Sequence, residues 1–577
     1  MAASPEQKKS YHITKQFKGL NTKANRTAID ENEFSWIENA QPVGPANIKI
    51  VPGPQTINNA VFSANTAYFT AVNIGLEDYL LSFQEKGAAQ YVKISDFSRG
   101  NIGAAGTFSN SGVQVTQWDN ERALIIDPSK GYYTWNGTDL ITIGSIGLVT
   151  ITSGGSGYNA APNVTISAPN QTNGVQATAT STLSNGVVTA ITLTNAGTGY
   201  TNSANLTVTI AASPSGNNAT ATATIFSQVG SSIASFSGRT WIADQRTIYY
   251  SAAGTYNDFT SVSAGNITLV DSTLHGYIKQ LLSANNFLYI FGDDSINVFS
   301  DVRVNDLGVT LFTNTNISAS VGTQLPEAVM PFFRSILFMN NYGVYALVGT
   351  TTTKISDALD GIIPNIDFNS PVYASQVLIN NILCAAFNFR YNDDGNYRYI
   401  QAVFFDKKWF IGNQGEDVKY MYSVPRNGLI KLYSTNGTDL KHIYGNTAAS
   451  VDTYIETALW PLGDPIRTKQ ALKVGIEATL SNSILLTATI DSENQTSPDI
   501  QLSNTIIWTN NNGEAINWIN NSSEIVLWSP TNQINGYYLY KADAPMWGKY
   551  IGVTLTATGA DYTLNGFQLE HELRVRF

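Results

Sequence analysis

Two pairs of adjacent carboxylates, Asp293–Asp294 and Asp393–Asp394, are the residues of this sequence best suited to acid–base chemistry. Glycosidases place two carboxyl groups beside the scissile bond, one as the acid and the other as base or nucleophile. Both pairs, however, lie in short polar stretches with glycine, between apolar runs, where Asp and Gly are favoured by the backbone geometry of turns. We therefore interpret both pairs as hairpin turns, and the sequence predicts no catalytic residue and no enzyme.

Metal and cofactor sites are not indicated by residue spacing either. The stretch NDDGN at 392–396 lacks the distal acidic ligand of an EF-hand calcium loop. The glycine-rich stretches GGSGY and GTGY are not followed by a helical pattern, so they do not predict a phosphate-binding loop. None of the histidines has a zinc-ligand partner at a suitable spacing; they are His12, His275, His442 and His571. We expect no metal-binding or cofactor-binding residue and no cofactor.

The turns that contain these carboxylates belong to a recurring hairpin pattern. Between Gly238 and Asp301, apolar and aromatic runs alternate with polar turns, which is typical of β-hairpins. In Phe287–Phe291 both alternating faces are apolar, which predicts a strand covered on both sides. Comparable turns recur along the chain, near Gly75, Asp127–Gly131, Asp244–Arg246, Gly292–Asp294, Asn340–Gly343, Asp393–Gly395 and Asn436–Gly437.

The spacing of these hairpins predicts the architecture. The last four turns start at 292, 340, 393 and 436, which are 48, 53 and 43 residues apart. A hairpin repeat of about 40–50 residues is typical of a β-propeller, whose blades bury their faces against each other. We predict an all-β fold with a propeller of six or seven blades. An elongated set of β-sandwiches stays open as an alternative, because the hairpins lack a strict blade signature.

Composition limits both the fold class and the function. The 577 residues include 29 Tyr, 25 Phe and 46 Gly, which favour strands and turns, and no stretch shows a clear helical period. A net charge of −10 argues against tight nucleic-acid binding, which needs a basic surface. The single cysteine, Cys384, is expected in a core. No apolar run suits a signal peptide or a membrane span, so we expect neither.

Changes in pattern along the chain suggest five parts. The first carries several cations followed by an acidic cluster and a predicted helical turn around Asp30–Asn39. The predicted parts are an N-terminal docking arm (1–50), first propeller blades (51–145), an inserted duplicated β-domain (146–228), remaining blades (229–455) and a C-terminal β-sandwich platform (456–577).

The insertion is marked by a duplication without charged residues. LVTITSGGSGY at 148–158 returns as AITLTNAGTGY at 190–200, and QATAT at 176–180 returns as NATAT at 218–222. For both sequences the second copy begins 42 residues after the first, at 190 after 148 and at 218 after 176. We predict two small β-modules that project from the ring, either as a spacer or as a sugar-binding module.

Three segments carry a resemblance to a known family: FKGLNTKANRTAIDENEFSWIENA (17–40), FSGRTWIADQRTIYYSAAGTYNDF (236–259) and WPLGDPIRTKQALKVGIEA (460–478). They resemble the tail nozzle proteins of short-tailed bacteriophages, also called tail tubular protein B. The Gly-x-Gly-Tyr modules also resemble small β-repeats of phage structural proteins.

This resemblance implies a homohexameric ring below the portal and adaptor proteins of a phage tail. Double-stranded genomic DNA would be retained and then ejected through its channel without sequence-specific binding. It also implies a virion protein assembled in the host cytoplasm, with tail fibres and the host surface as further partners. The family has no catalytic residues to transfer. The alternatives are a carbohydrate-binding or carbohydrate-cleaving propeller or tailspike-type protein acting on host surface polysaccharide, and a head-decoration or adhesion protein.

Overall fold

The computed structural model describes residues 9–58, 61–172, 174–270, 274–426, 428–480, 484–502, 508–509, 515–516, 518–519, 525–526 and 536–574. These residues form strands, turns and four short 3-10 helices, and they contain no α-helix. The predicted all-β class is therefore confirmed. No helix in these ranges is both long and apolar enough to cross a membrane.

The N-terminal segment forms six strands: β1 (Ser10–Thr14), β2 (Gly19–Leu20), β3 (Glu33–Glu38), β4 (Ala40–Val43), β5 (Asn47–Ile50) and β6 (Gly53–Asn58). The predicted helical turn around Asp30–Asn39 is wrong, because most of this stretch is β3. A β-bulge between Phe34 and Trp36 inserts one residue against the partner strand. Phe34 and Ile37 are therefore both buried although they are three residues apart, which imitates a helical spacing.

The chain then forms two four-stranded antiparallel sheets. Blade 1 contains β7 (Thr66–Ile74), β8 (Glu77–Gln84), β9 (Ala89–Lys93) and β10 (Arg99–Gly103). Blade 2 contains β11 (Gln114–Trp118), β12 (Arg122–Asp127), β13 (Gly131–Trp135) and β14 (Leu140–Thr142).

The uncharged duplication forms a separate six-stranded sheet in the order β15-β20-β19-β16-β17-β18. Its elements are β15 (Gly144–Ser153), β16 (Val164–Ile166), β17 (Thr178–Ser184), β18 (Val187–Asn195), η1 (Ser203–Asn205), β19 (Val208–Ile210) and β20 (Thr220–Ser227). The two copies are intertwined, because the first strand of each pairs with the last strand of the other.

The repeated tyrosines explain why the Gly-x-Gly-Tyr sequence occurs twice. The Tyr158 hydroxyl accepts a hydrogen bond from the Ala219 amide (2.8 Å) and donates to the Ala211 carbonyl (3.2 Å). Tyr200, in the second copy, accepts in the same way from the Ala177 amide (2.9 Å). Each buried tyrosine thus joins its own copy to the backbone of the other.

Three further four-stranded sheets follow the insertion. Blade 3 contains β21 (Ser232–Phe236), β22 (Arg239–Asp244), β23 (Thr247–Tyr250) and β24 (Gly265–Thr268). Blade 4 contains β25 (Ile278–Ala284), β26 (Phe287–Gly292), β27 (Ile296–Val304) and β28 (Thr310–Ser318). Blade 5 contains η2 (Pro326–Ala328), β29 (Val329–Phe332), β30 (Ser335–Asn340), β31 (Gly343–Val348) and β32 (Thr351–Lys354).

The last two blades connect the ring to the rest of the chain. After η3 (Asp357–Leu359) and η4 (Ile363–Asn365), blade 6 contains β33 (Tyr373–Ile379), β34 (Ile382–Asp393), β35 (Asn396–Phe405) and β36 (Lys408–Gly412). Blade 7 contains β37 (Tyr420–Arg426), β38 (Leu429–Thr435) and β39 (Leu440–Asn446). Its fourth strand is β6, which pairs with β39 and so closes the ring with the N-terminal segment.

The final strands are β40 (Val451–Thr457), β41 (Lys469–Leu480), β42 (Leu485–Ser492), β43 (Ile500–Leu502), β44 (Trp508–Thr509), β45 (Ala515–Ile516), β46 (Trp518–Ile519), β47 (Ile525–Val526), β48 (Gly536–Gly548), β49 (Ile551–Gly559) and β50 (Tyr562–Leu573). The alternating stretch EIVLWS (524–529) also predicts a strand; only β47 of it is described, and the remainder lies outside the described residues.

Hydrophobic clusters join neighbouring blades around a ring of seven, at the upper end of the predicted range. Separate clusters lie between blades 1 and 2, 2 and 3, 3 and 4, 4 and 5, and 7 and 1. One larger core includes blades 5, 6 and 7 and the C-terminal strands. The seven predicted hairpin turns are all confirmed, and six of them connect the second and third strands of blades 2 to 7.

The N- and C-terminal strands together form the platform, which we define as β1–β5, β40–β43 and β48–β50. One of its sheets, β4-β5-β50-β41-β48, also carries β1 on β50. The other is continuous with blade 6 through β36-β3-β40-β49-β42-β43. Residues 10–50 of the predicted docking arm therefore dock on the C-terminal strands of their own chain, and residues 1–8 lie outside the described residues.

Candidate functional site

The inner strands of all seven blades surround one cavity on the propeller axis. These strands are β7, β11, β21, β25, β29, β33 and β37, and residues of each line a space of about 400 Å³. This volume lies within the range of sites for small molecules, about 300–1,000 Å³. The lining includes one residue from each blade in the following set: Tyr68, Gln114, Ile233, Gln280, Glu327, Tyr373 and Tyr422.

Glu327 provides the carboxylate of this central cavity. It lies in the 3-10 helix η2, directly before the inner strand of blade 5. The Gln114 side-chain amide, from blade 2, donates a hydrogen bond to the Glu327 carboxylate. Burial raises the pKa of Glu327 to about 7, and the Gln114 hydrogen bond opposes that increase only in part. The group therefore titrates near neutral pH.

Three tyrosines give the central cavity an aromatic wall. Tyr68 and Tyr373 are buried and Tyr422 is partly buried. Burial raises the pKa of each phenol, and the charge of Glu327 raises it further. The hydroxyls consequently keep their protons near neutral pH and can donate to a carboxylate or accept from a cation.

A second concave site, which we call the seam groove, lies where blade 6 meets the platform. It combines three aromatic and four charged side chains: Trp36, Tyr391, Tyr454, Glu38, Asp393, Arg398 and Glu456. One Arg398 nitrogen contacts both Glu38 oxygens at 3.1 Å, and another lies 3.4 Å from Asp393. The seam groove is an acidic aromatic surface with its arginine already paired.

The two predicted carboxylate pairs are turns, as expected, and the structure does not bring them together. Asp293 pairs with Lys279 (3.2 Å) and Asp294 with His275 (3.1 Å) at the tip of blade 4. Asp393 reaches the seam groove from blade 6, whereas Asp394 occupies the turn with a φ of 49°. Neither pair lines the central cavity.

Comparison with known proteins gives no family assignment. No protein-family model matches the chain. No curated protein matches it. Solved structures that match the chain include the computationally designed Ika8 protein (9% identity, 68% of this chain and 99% of that chain, TM-score 0.30). BBS1N in complex with ARL6DN is 9% identical over 68% of this chain and 98% of that chain, with a TM-score of 0.32. The Trypanosoma rangeli sialidase is 9% identical over 97% of this chain and 96% of that chain, with a TM-score of 0.26. These TM-scores are too low to support an argument about function.

Two of the histidines and the cysteine are packed against other side chains in the interior of the fold. The His12 ring lies tilted against Trp460 with 4.5 Å between ring centroids, and His442 lies against Tyr433. Burial lowers the pKa of both histidines to about 4. Cys384 is in the core as expected, and burial raises its pKa to about 12. Within the described ranges, no group of three or more His, Cys, Asp or Glu residues is arranged to hold a metal ion.

Sequence reasoning missed the residues of the central cavity. Glu327 lies in the stretch LPEAV, which has no motif, and Gln114 precedes it by more than 200 residues in the chain. The one available signal was positional, because the first strand of each blade in a propeller lines the axis. To identify those first strands, the residues at which each blade begins must be known, and the turn spacing gives these boundaries only approximately.

Proposed function

We propose that this protein is a structural subunit of the tail of a short-tailed bacteriophage. In this proposal several copies form a nozzle ring, and genomic DNA is retained and then ejected through the space that they enclose. The portal and adaptor proteins would lie above the ring, and tail fibres would be further partners.

The observation that carries the proposal is the contact between two of the three segments that resemble nozzle proteins. Segments 17–40 and 460–478 are separated by 420 residues, from 40 to 460. The Trp460 indole nevertheless donates to the Glu31 carbonyl (3.0 Å), and the Leu459 amide, directly before that segment, donates to the Arg26 carbonyl (2.9 Å). The residues behind the resemblance therefore build one part of the platform.

The Arg26 side chain strengthens the same contact. Its guanidinium lies 2.8 Å from Glu456 and 3.1 Å from Asp491, both on C-terminal strands. In the third segment, Arg239 is buried in blade 3 and donates to the Ser251 carbonyl (2.6 Å). Both arginine side chains hold parts of the fold together, which supports a structural role for the segments that contain them.

The size of the central cavity supports a channel built from several copies. A space of about 400 Å³ suits a small molecule rather than a DNA duplex. DNA passage would therefore have to use the space between subunits, as the ring arrangement provides.

The ion pairs of the N-terminal segment are consistent with a protein that lets DNA pass rather than one that binds it tightly. Three lysines of the predicted docking arm form ion pairs with carboxylates of their own chain. The pairs are Lys9 with Glu570 (3.1 Å), Lys15 with Glu477 (2.7 Å) and Lys18 with Asp30 (2.8 Å). Together with a net charge of −10, this pairing disfavours tight binding of phosphates by the N-terminal segment.

Mass photometry of the purified chain tests the proposal. At micromolar concentration we expect a species of six times the 62.5 kDa chain mass, and ring-shaped particles in negative-stain images. Monomer alone, both by itself and with the adaptor protein of the same phage, would contradict the nozzle proposal.

The seam groove favours carbohydrate binding as a second candidate function. Aromatic surfaces from Trp36 and Tyr454 lie beside Glu38, Asp393 and Glu456, a combination that can contact sugar rings and hydroxyls. Incubation with host surface polysaccharide distinguishes the two functions. Shortened chains, or binding that Trp36→Ala abolishes and Phe333→Ala leaves intact, would favour the carbohydrate function; Phe333 is an exposed aromatic outside the groove.

A further inference from the structure

Glu327 is a carboxylate in the interior of the propeller without a cationic partner. No Lys, Arg or His of the described residues lies within ion-pair distance of it, and its hydrogen-bond partner is the neutral amide of Gln114. Glu327 is partly buried, so its unpaired charge has to be stabilised by water in the cavity, by protonation or by a cation that enters from outside. The central cavity beside Glu327 has room for that cation.

The neighbouring groups fit a particular kind of cation. Tyr68, Tyr373, Tyr422 and Gln280 line the same cavity, and the charge of Glu327 acts on all three phenols. A primary ammonium has three N–H donors, and a carboxylate with phenol and amide oxygens supplies acceptors for them. Aromatic rings also attract an ammonium group through their electron-rich faces.

The apolar part of the wall indicates that the cation carries a hydrocarbon group. Val72, Val115 and Met330 line the same cavity. Divalent metals prefer several charged or carbonyl oxygens, and the cavity has one carboxylate. The lining thus combines acceptors for an ammonium with apolar surface for an alkyl chain.

We propose that the central cavity binds a small primary alkylammonium ion, with the Glu327 carboxylate as its counter-ion and the three tyrosines as its aromatic wall. This site is independent of the proposed nozzle function, because it lies inside one subunit and needs no second copy.

Isothermal titration calorimetry with n-butylammonium chloride tests the site directly. We expect saturable binding at pH 8 that weakens at pH 5.5, where the carboxyl is protonated. Glu327→Gln should weaken binding about tenfold or more, the loss expected for one charge-assisted hydrogen bond. Glu416→Gln is the matched control: burial raises the pKa of this carboxyl too, but it lies outside the cavity, and binding should not change.

A second measurement locates the ligand without a substitution. Met330 lines the cavity, whereas Met339, Met421 and Met546 do not. In protein labelled with ¹³C at the methionine methyls, n-butylammonium should shift the Met330 resonance and leave those three unchanged. Butanol and KCl at the same concentrations should shift it less than the amine does.

Three results would overturn the proposal. They are no heat of binding at pH 8 up to 10 mM amine, equal affinity in Glu327→Gln and the parent protein, or methyl shifts that avoid Met330. An equal response to KCl would assign the site to a simple monovalent cation instead of an alkylammonium.

Discussion

The environment of the Glu327 side chain is built by residues from four other blades. Its backbone belongs to the 3-10 helix η2 of blade 5, but its hydrogen-bond partner comes from blade 2, and the tyrosines around it come from blades 1, 6 and 7. Desolvation dominates its environment and favours the protonated acid. The propeller therefore carries a proton-binding group on its axis near neutral pH.

Substituting Glu327 by Gln should make stability less dependent on pH. The folded-state pKa is raised from 4.5 to about 7, so folding loses stability as pH rises between these values. The neutral amide avoids that loss. We expect the free energy of unfolding of Glu327→Gln to exceed that of the parent by up to about 3 kcal/mol at pH 8 and to equal it at pH 4.5. Urea unfolding at both pH values measures this difference.

Glu121→Gln provides the control for this titration, because Glu121 is exposed on blade 2. Its variant should follow the parent at both pH values. A Glu327→Gln variant that is less stable than the parent at pH 8 would show instead that hydrogen bonds stabilise the ionised carboxylate.

Residue roles were only partly predictable from the sequence. Asp393 and Asp394 were correctly interpreted as turn residues, because turn chemistry is local. Glu327 could not be identified, because the residues that surround it in the cavity range from Tyr68 to Tyr422, more than 300 residues apart in the chain. A local motif search cannot detect a site whose members meet only when a ring closes.

At the scale of elements, the inserted sheet is attached to the ring by its two ends. Gly144 pairs with Ser227, so the chain enters and leaves the sheet at neighbouring positions. The Gln171 side chain adds two hydrogen bonds to the last strand of blade 2, at Leu140 (2.9 Å) and Thr142 (2.8 Å). Its hydrophobic clusters contain only its own residues.

Removing Leu148–Phe226 and joining the ends with a short Gly/Ser loop should leave a folded propeller and platform. An insertion with its own core shares few contacts with its host, so blades 2 and 3 should still pack. Differential scanning calorimetry should retain the main cooperative transition.

Cutting the same number of residues from blades 3 and 4 is the contrasting control, and it should abolish that transition. If the deletion of 148–226 also abolishes it, the duplicated sheet is part of the ring core.

Elements were predicted well where their signals are local and poorly where pairing is distant. The hairpin turns were located from Asp, Asn and Gly, and the structure confirms them. β3 was missed because its bulge gives Phe34 and Ile37 a helical spacing. The continuous sheet of blade 6 and the platform depends on β3 lying between β36 and β40, and no pattern within β3 specifies those neighbours.

For the whole molecule, charge predicts weak interaction with DNA. The chain has 43 acidic and 33 basic residues, and several of its cations are paired within the subunit. We expect a 30-base-pair duplex to bind more weakly than 1 μM at 150 mM salt and to tighten as salt is lowered, measured by fluorescence anisotropy. The physical reason is that affinity for duplex DNA rises with the number of phosphates neutralised.

Heparin competition at low salt is the control for this measurement, because it should displace a purely electrostatic complex. Sub-micromolar binding at 150 mM salt that heparin does not displace would contradict the expectation and indicate a DNA-gripping surface.

The strand that closes the ring also fixes the order of events during synthesis. β6 leaves the ribosome early, but its partner β39 ends at Asn446, 388 residues after Asn58. At roughly 5–20 residues per second, translation separates the two strands by roughly 20–80 s. The interval is longer for β1, because its partner β50 ends at Leu573. During this interval the nascent chain exposes unpaired strand edges, which are templates for aggregation. Chaperone supply during expression should therefore decide how much of the protein reaches its closed form.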